Sequence, residues 1–249
     1  MYNSIRKEDS EVQKKIWQKH TSEIEVTNEM LQQPAVFQLE MANFMSLLVK
    51  SNSKSIEVGC EFGVTSYLLP KTFNKTFLDY NVDALSKCKQ LGKYANDSGN
   101  YLLCDMFQIG IEYNSSFDLS FNAGVIEHYV YSDRVKLLQS MSKLINKDGI
   151  VIIAFPNHFS LPYRVAYILM NLLKKWRFPN EFKIYDLQKE ANEAGMEQIL
   201  RVTLSKKSIF TWLNPKPFLL IKWILKLLDK VSSFEGYLTC IILKKKDTK

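Results

Sequence analysis

The chain holds little that would mark it as secreted, membrane-spanning or metal-binding. Its 249 residues include four cysteines, Cys60, Cys88, Cys104 and Cys240, with no CxxC pair or other metal-ligand spacing. They read as small hydrophobes in a reduced compartment, with Cys60 and Cys104 at the ends of buried strands. Residues 1–22 are polar and charged, without the pattern of a secretory signal. The longest near-apolar run, residues 217–228, is too short to span a bilayer and is broken by Lys222 and Lys226. No internal repeat or low-complexity segment occurs. These absences lead to the expectation of a cytoplasmic protein, with peripheral membrane contact left open by its basic segments.

What remains is ordinary for a folded domain: 46% hydrophobic and 24% charged residues, enough chain to bury a substantial core. The net charge of +7 favours an anionic partner. Much of the excess is local, at Lys206, Lys207, Lys222, Lys226, Lys230 and the tail from Lys244 to Lys246, so it says little about an active site. The whole chain, 1–249, reads as one domain. N-terminal helices fill 1–50, a ligand-binding core 51–155, and inserted lids 156–183 and 206–234.

Strands are expected over 55–58, 75–79, 100–104, 117–121, 150–155, 196–205 and 237–243. Helices are expected over 34–50, 64–69, 82–91 (closed by Gly92), 126–145, 161–176, 184–194 (ended by Gly195) and 214–232. Residues 1–30 read as a helix lying on the domain or a mobile arm, with Val12 and Ile16 as apolar anchors. The run 150–155 is nearly all β-branched or aromatic, as in a strand buried on both faces. The alternation of strand and helix calls for a parallel sheet with right-handed crossovers. The closing strand is expected to pair antiparallel with the sixth.

Everything is organised around Glu57-Val58-Gly59-Cys60-Glu61-Phe62-Gly63, a strand end, a glycine turn and the start of a helix. Glycine lets a ligand approach the backbone, and the N–H groups of the following helix point outward. A dinucleotide loop would carry G-x-G-x-x-G, and here Glu61 stands in place of the middle glycine, where it would repel a pyrophosphate. Glu57 at the strand end suits a ligand that bears an amine. The plain structural alternative is an ordinary strand-to-helix turn.

With these residues the chain resembles the class I S-adenosylmethionine-dependent methyltransferases, above all their small-molecule branch that includes the ubiquinone- and menaquinone-type enzymes. Glu57-Val-Gly59-Cys60-Glu61-Phe-Gly63 matches the acid and outer glycines of the first motif and departs at Glu61. Asp79, 22 residues after Glu57, holds the place of the acid that takes the ribose hydroxyls, with Tyr80 beside it. Asp105 and Met106 hold the place beside the adenine, although Asp79 and Asp105 also suit helix caps. Asn122-Ala-Gly124-Val-Ile-Glu127-His128 is similar to the branch signature after the fourth strand. The likeness covers roughly 50–200 and the terminal hairpin. It implies a Rossmann-like seven-stranded sheet, S-adenosylmethionine as cofactor, and lids that roof the acceptor pocket. Some relatives hold a divalent metal with Glu-x-x-Glu-His; Gly124 takes the first of those positions, so no metal is expected.

His128 and His158 each follow the carboxyl end of a strand, where α/β sheets bind ligands, and are the candidate general bases. The alternative for His128 is a scaffold role, and His20 reads as a surface residue. The expected reaction is methyl transfer to a hydrophobic small molecule or lipid-like acceptor, with the two basic amphipathic lids resting on the core or on an anionic membrane. One rival is an RNA methyltransferase, suggested by the charge. Against it, the fourth strand ends without an Asn/Asp-Pro-Pro-Tyr motif and no RNA-binding module is appended. The other rival is a non-catalytic cofactor-binding partner or scaffold, kept open by Glu61.

Overall fold

Five short β-rich segments line up in parallel: β1 (Lys54–Val58), β2 (Asn74–Asp79), β3 (Asn100–Leu103), β4 (Phe117–Ala123) and β5 (Ile145–Pro156). β6 (Met196–Leu204) and β7 (Leu238–Lys245) complete the sheet, in the order β3-β2-β1-β4-β5-β7-β6. β7 runs antiparallel to both its neighbours, β5 and β6. The computed structural model describes residues 10–246. This is the Rossmann-like, mostly parallel seven-stranded sheet with the antiparallel terminal strand that the pattern predicts.

The helices are α1 (Ser10–Glu23), α2 (Glu29–Gln32), α3 (Val36–Leu48), α4 (Val64–Leu68), α5 (Val82–Ala95), α6 (Tyr131–Leu144), α7 (Leu161–Leu172), α8 (Gln188–Glu193) and α9 (Leu219–Ser232). β5 shows why the sheet is buried on both sides. Val151, Ile153 and Phe155 enter one core cluster with Ile56, Leu137 and Met141, while Ile150, Ile152 and Ala154 enter the other with Met41, Met45 and Phe121. Alternate residues of one run thus feed opposite faces. Each fully buried aliphatic side chain contributes about 1.5–3 kcal/mol of transfer free energy.

The chain steps outward from β1 to β3 and then returns to place β4 on the other side of β1. That reversal opens a crevice above the carboxyl ends of β1 and β4, where ligands of such sheets bind. The segments after β5 and after β6 both emerge at this same end.

Several boundaries differ from expectation, and tertiary contacts account for them. α5 runs through Gly92 to Ala95, because Gly92 is needed for packing: a Cβ there would sit 2.5 Å from the Tyr67 hydroxyl. Asn96, in the left-handed region at φ 47°, ends the helix instead. The helix expected over 126–145 divides. Ile126–His128 forms a separate 3₁₀ turn, held by the Phe182 N–H donating to the Glu127 carbonyl at 2.7 Å, and α6 starts afresh at Tyr131. α7 stops at Leu172, before Lys174 at φ 53°. The helix expected over 184–194 shortens to α8. Its first residues are tied to β6 by the Leu187 N–H donating to Gln198 Oε1 and by Arg201 Nε donating to the Tyr185 carbonyl, both at 2.9 Å.

Candidate active site

The glycine loop folds as a tight, specified turn. Gly59, Glu61 and Gly63 all have positive φ, at 71°, 49° and 69°. The N–H groups of Gly59 and Cys60 both donate to the Leu78 carbonyl of β2, at 2.8 and 3.0 Å, and the Gly63 N–H donates to the Cys60 carbonyl at 2.7 Å. Gly63 is glycine for two reasons, since a Cβ there would meet the Phe77 ring at 2.5 Å and Cys88 Sγ at 2.7 Å. At Gly59 a Cβ would meet Val125 of the β4 loop at 3.1 Å. Glu61, the departure from the motif, adopts the left-handed conformation itself and donates its N–H to Asp79 Oδ2 at 2.9 Å. The loop therefore keeps its shape without the middle glycine. α4 has only five residues, so a helix end adds little to this loop; its carboxylates set its character.

Three acids crowd the carboxyl ends of β1 and β2. Glu57 is buried between Phe77 and Phe121 in the sheet register, and its Oε2 has no hydrogen-bond partner among the described residues. Burial raises its pKa to about 8, opposed by Ser66 and reinforced by the carboxylates of Glu61 and Asp79. Glu61 is raised to about 7 by desolvation and Asp79, a push softened by solvent that reaches a third of its side chain. Asp79 is buried and raised mainly by desolvation. Its Oδ1 accepts from the Asn81 N–H at 2.9 Å, so it braces the start of α5 while Asn81 Oδ1 caps Asp83. Tyr80 beside it is partly exposed, and burial with Asp79 pushes its hydroxyl up to about 12.

Asp105 Oδ1 caps the Phe107 N–H at 2.9 Å, and the preceding Cys104 N–H donates to the Asp79 carbonyl at 3.0 Å, which ties the ends of β2 and β3 together. Met106 belongs to the main core cluster, and its carbonyl accepts from Ser140 Oγ. Cys60 is buried beneath the loop, its thiol pushed well up by burial; Cys104 is only partly buried. Asn122 is fully buried at the end of β4, with Nδ2 3.7 Å from Met141 Sδ and Oδ1 without a partner among the described residues. A groove of about 610 Å³ opens beside Asn81 and Tyr80, walled by Gln18, Lys19 and Ser22 of α1 and by Leu103. A smaller cavity of about 330 Å³ lies at the opposite end of the strands, among Lys54, Asn74 and Asn100, away from this chemistry.

The two histidines differ in how their rings are held. His128 Nδ1 lies 3.1 Å from the Asn180 carbonyl. A carbonyl only accepts, so Nδ1 carries the proton and the neutral ring keeps its lone pair on Nε2, 3.8 Å from Glu127 Oε1. His158 has the opposite tautomer. Arg164 Nη1 approaches its Nδ1 at 3.2 Å and can only donate, which leaves the proton on Nε2, facing Glu181 Oε2 at 2.9 Å. Tyr163 donates to the same Glu181 oxygen at 2.7 Å. His158 thus lies between the half-buried Arg164 and the buried Glu181, which Tyr163 also contacts, a setting that suits a structural role better than that of a base. Glu127, also fully buried, is raised well above the carboxylate range by burial and by Glu181.

The sequence pattern missed the part played by α1. Its inward face is not Val12, which is exposed, but Gln13, Trp17, His20 and Thr21. Gln13 Nε2 donates to the His128 carbonyl at 2.9 Å, Trp17 meets the His128 ring edge-on at 5.5 Å, and His20 Nε2 lies 3.3 Å from Glu61 Oε1. Lys87 of α5 holds the end of α1 through the Thr21 and Ile24 carbonyls. The spacing of Gln13, Trp17 and His20 (i, i+4, i+7) was the available signal, hidden because two of the three are polar. An aromatic roof continues from Trp17 to Phe178 at 5.9 Å, then to Trp176 at 5.5 Å and Trp212 at 5.4 Å, joining α1 to both lids. Glu181, Arg164 and Tyr163 were also missed, since nothing in the pattern marks a lid residue as part of a buried network. Among the described residues no group of three or more His, Cys, Asp or Glu is arranged to hold a metal ion.

Residues 56–153 match the model of a methyltransferase domain. This stretch, under half of the chain, is similar to a methyltransferase domain. Solved structures share the fold at low identity. An S-adenosylmethionine-dependent methyltransferase from Archaeoglobus fulgidus superposes with a TM-score of 0.59 at 15% identity, covering 88% of this chain and 97% of its own. A TehB-like methyltransferase from Corynebacterium glutamicum gives 0.56 at 16%, covering 96% and 100%. Magnesium protoporphyrin IX methyltransferase from Synechocystis, solved with S-adenosylhomocysteine bound, gives 0.55 at 12%, covering 96% and 89%. No curated protein shows significant similarity to this chain. The donor set suits S-adenosylmethionine, the cofactor that the resemblance implies. Two buried oxygens without partners, Glu57 Oε2 and Asn122 Oδ1, flank a loop of three mutually repelling carboxyl groups, an environment that favours a cationic, amine-bearing ligand.

Proposed function

We propose that this chain is an S-adenosylmethionine-dependent methyltransferase that acts on a hydrophobic small molecule or lipid-like acceptor, in the manner of the small-molecule branch its motifs resemble. The observation that carries the reading is the aromatic roof of Trp17, Phe178, Trp176 and Trp212 above His128. It places apolar, ring-lined surface beside His128, whose Nδ1 is held by the Asn180 carbonyl. Glu57, with Gly59, Cys60 and Gly63 shaping the loop, would hold the methionine end of the cofactor. Asp79 and Tyr80 would take the ribose, Asp105 the adenine edge, and Asn122 would present its carbonyl oxygen from the end of β4. Met106 would act from behind, by fixing the Asp105 turn.

When bound, S-adenosylmethionine supplies a methyl group on cationic sulfur that departs as a neutral thioether. The chain's own part is mostly positional: a specified loop, a roof that excludes water, and an acceptor oriented in line with the methyl group. Where the acceptor is a hydroxyl, His128 Nε2 takes its proton, and the Nδ1–H bond to the Asn180 carbonyl stabilises the imidazolium that results. Glu127, whose carboxyl burial pushes well above the usual range, lies 3.8 Å from Nε2.

The test combines calorimetric titration with S-adenosylmethionine and a transfer assay with tritiated methyl donor against lipid extracts and phenolic small molecules. The expected result is cofactor binding and label recovered in the organic phase. Label recovered only in RNA or protein would overturn the acceptor class.

A further inference from the structure

The second lid carries a surface that the methyltransferase fold leaves uncovered. α9 has 14 residues and buries one of them, Leu225, against Ala166, Leu213 and Phe218. On the opposite side Leu220, Trp223 and Val231 are 69%, 60% and 89% exposed, with Ile224, Leu227 and Leu228 also exposed between them. At 100° per residue these six side chains occupy one continuous arc. Lys222, Lys226 and Lys230 fall together along one edge of that arc. α7 joins the same cluster through Val165 and Leu169, and its own exposed Ile168 and Leu172 are followed by Lys174 and Lys175.

We infer that α9 docks the enzyme onto an anionic bilayer, lying in the interface with its Leu220–Trp223–Val231 face among the acyl chains. A helix of 14 residues is about 21 Å long, and no helix among the described residues is long and apolar enough to cross a membrane. It therefore lies on the surface and does not span it. Charge selects the occupant. The segment 205–237 holds six lysines against Asp229 and Glu235, and both acids are already engaged, Asp229 by Lys206 and Glu235 by Arg201. Neither acid pairs with the lysine edge, whose Lys222 meets the neutral Asn214 and Lys226 the Phe210 ring. Its charge thus faces anionic headgroups, and Trp223 sits at the boundary where an indole is favoured. A second copy of this chain would present the same lysine edge, which like charge opposes. The lid emerges at the end of the sheet that holds His128, so docking brings the active site to the membrane surface.

Vesicle co-sedimentation of the full chain tests this. Phosphatidylcholine vesicles with about one-third phosphatidylserine should bind it, pure phosphatidylcholine far less, and about 0.5 M salt should weaken binding. A variant with Leu220→Ser, Trp223→Ser and Val231→Ser changes only exposed side chains. It should lose at least about tenfold in vesicle affinity while keeping its helical circular dichroism and its heat of cofactor binding. A Lys226→Glu, Lys230→Glu variant should lose the preference for anionic vesicles. Absence of binding, or binding that the serine variant retains, would overturn the inference. So would a dimer in solution that the same substitutions dissociate, which would give the face to a second copy. Cofactor binding is measured separately, so failure here leaves the methyltransferase reading where it stands.

Discussion

The two halves of the crevice are built from opposite materials. On the β1–β2–β3 side, acids crowd strand ends that are fixed by backbone hydrogen bonds: Asp79 braces Glu61 and Asn81, and Asp105 braces Phe107. On the roof side, aromatic rings and lysines hang on inserted segments, and α9 leaves a broad apolar face exposed. The first half is electrostatically frustrated until a cation arrives, since Glu61 and Asp79 both raise the pKa of Glu57, and Asp79 raises that of Glu61. The second is a solvation problem, with apolar surface in water and little to cover it. A rigid half that wants a charged cofactor and an adaptable half that wants an apolar partner fit an enzyme with one fixed and one variable substrate.

The sharpest way to break this comparison is to exchange the roles of the two histidines. His128→Asn keeps a donor for the Asn180 carbonyl but removes the lone pair at Nε2. It should lower methyl transfer to a hydroxyl acceptor by about 10²–10⁴-fold, with cofactor affinity unchanged by calorimetry. His158→Gln should do the reverse. It leaves Arg164 and Glu181 imperfectly paired in the core and lowers stability by about 1–3 kcal/mol, while the pH profile of the reaction stays that of the wild type. If the two variants gave the same profile, the tautomer assignment would be wrong.

Next in size is Gly63→Ala. The left-handed φ of 69° and the 2.5 Å approach to Phe77 together should cost about 3 kcal/mol, seen as a fall of about 10 °C in Tm. The rigid half should thus fail as a whole, with binding lost alongside folding. Glycine at this position was legible from sequence for this reason: a turn between strand and helix leaves few conformations, and those conformations demand particular residues. The same holds for the sheet, whose order follows from strand spacing and right-handed crossovers. The roof offered no such constraint. Trp17, Glu181 and Arg164 act through contacts that cross from one end of the chain to the other, and each sits in a segment whose local pattern is only polar or only amphipathic. Gly92 shows the limit even within the core: read as a helix stop, it is a packing glycine that α5 runs through.

Glu57→Gln sharpens the electrostatic side. An acid whose folded pKa is raised binds its proton more tightly in the folded than in the unfolded state, so its contribution to stability is lost as pH rises. For Glu57 the window runs from about 4.5 to about 8, and the loss is at most about 5 kcal/mol. The ligand-free protein should therefore melt lower at pH 8 than at pH 5.5, and the Gln variant should flatten that slope. Cofactor binding should reverse it, because a bound cation favours the ionised carboxylate and releases a proton. Between pH 6.5 and 8 the wild type should gain affinity relative to the variant, which binds about 10–100-fold more weakly at the upper end, the equivalent of about 1.4–2.7 kcal/mol. Equal slopes in the two proteins would remove Glu57 from the cofactor site.

The smallest effect is expected where the two halves meet. Trp17 touches the base through the His128 ring and the roof through Phe178, while its neighbours Gln13 and His20 reach the His128 carbonyl and Glu61. One face of α1 thus spans both materials. Trp17→Ala removes the aromatic bridge and leaves the polar contacts and the Lys87 anchor in place. An edge-to-face pair is worth about 0.5–1.5 kcal/mol beyond its area. The variant should therefore release S-adenosylhomocysteine only about 3–10-fold faster, measured by stopped-flow displacement, with the fold intact. If α1 were merely packed on the finished domain, product release would not change. If it closes the crevice after the cofactor enters, release should quicken while the equilibrium pH slope set by Glu57 stays as it was. The same substitution then separates a roof that gates from a loop that binds.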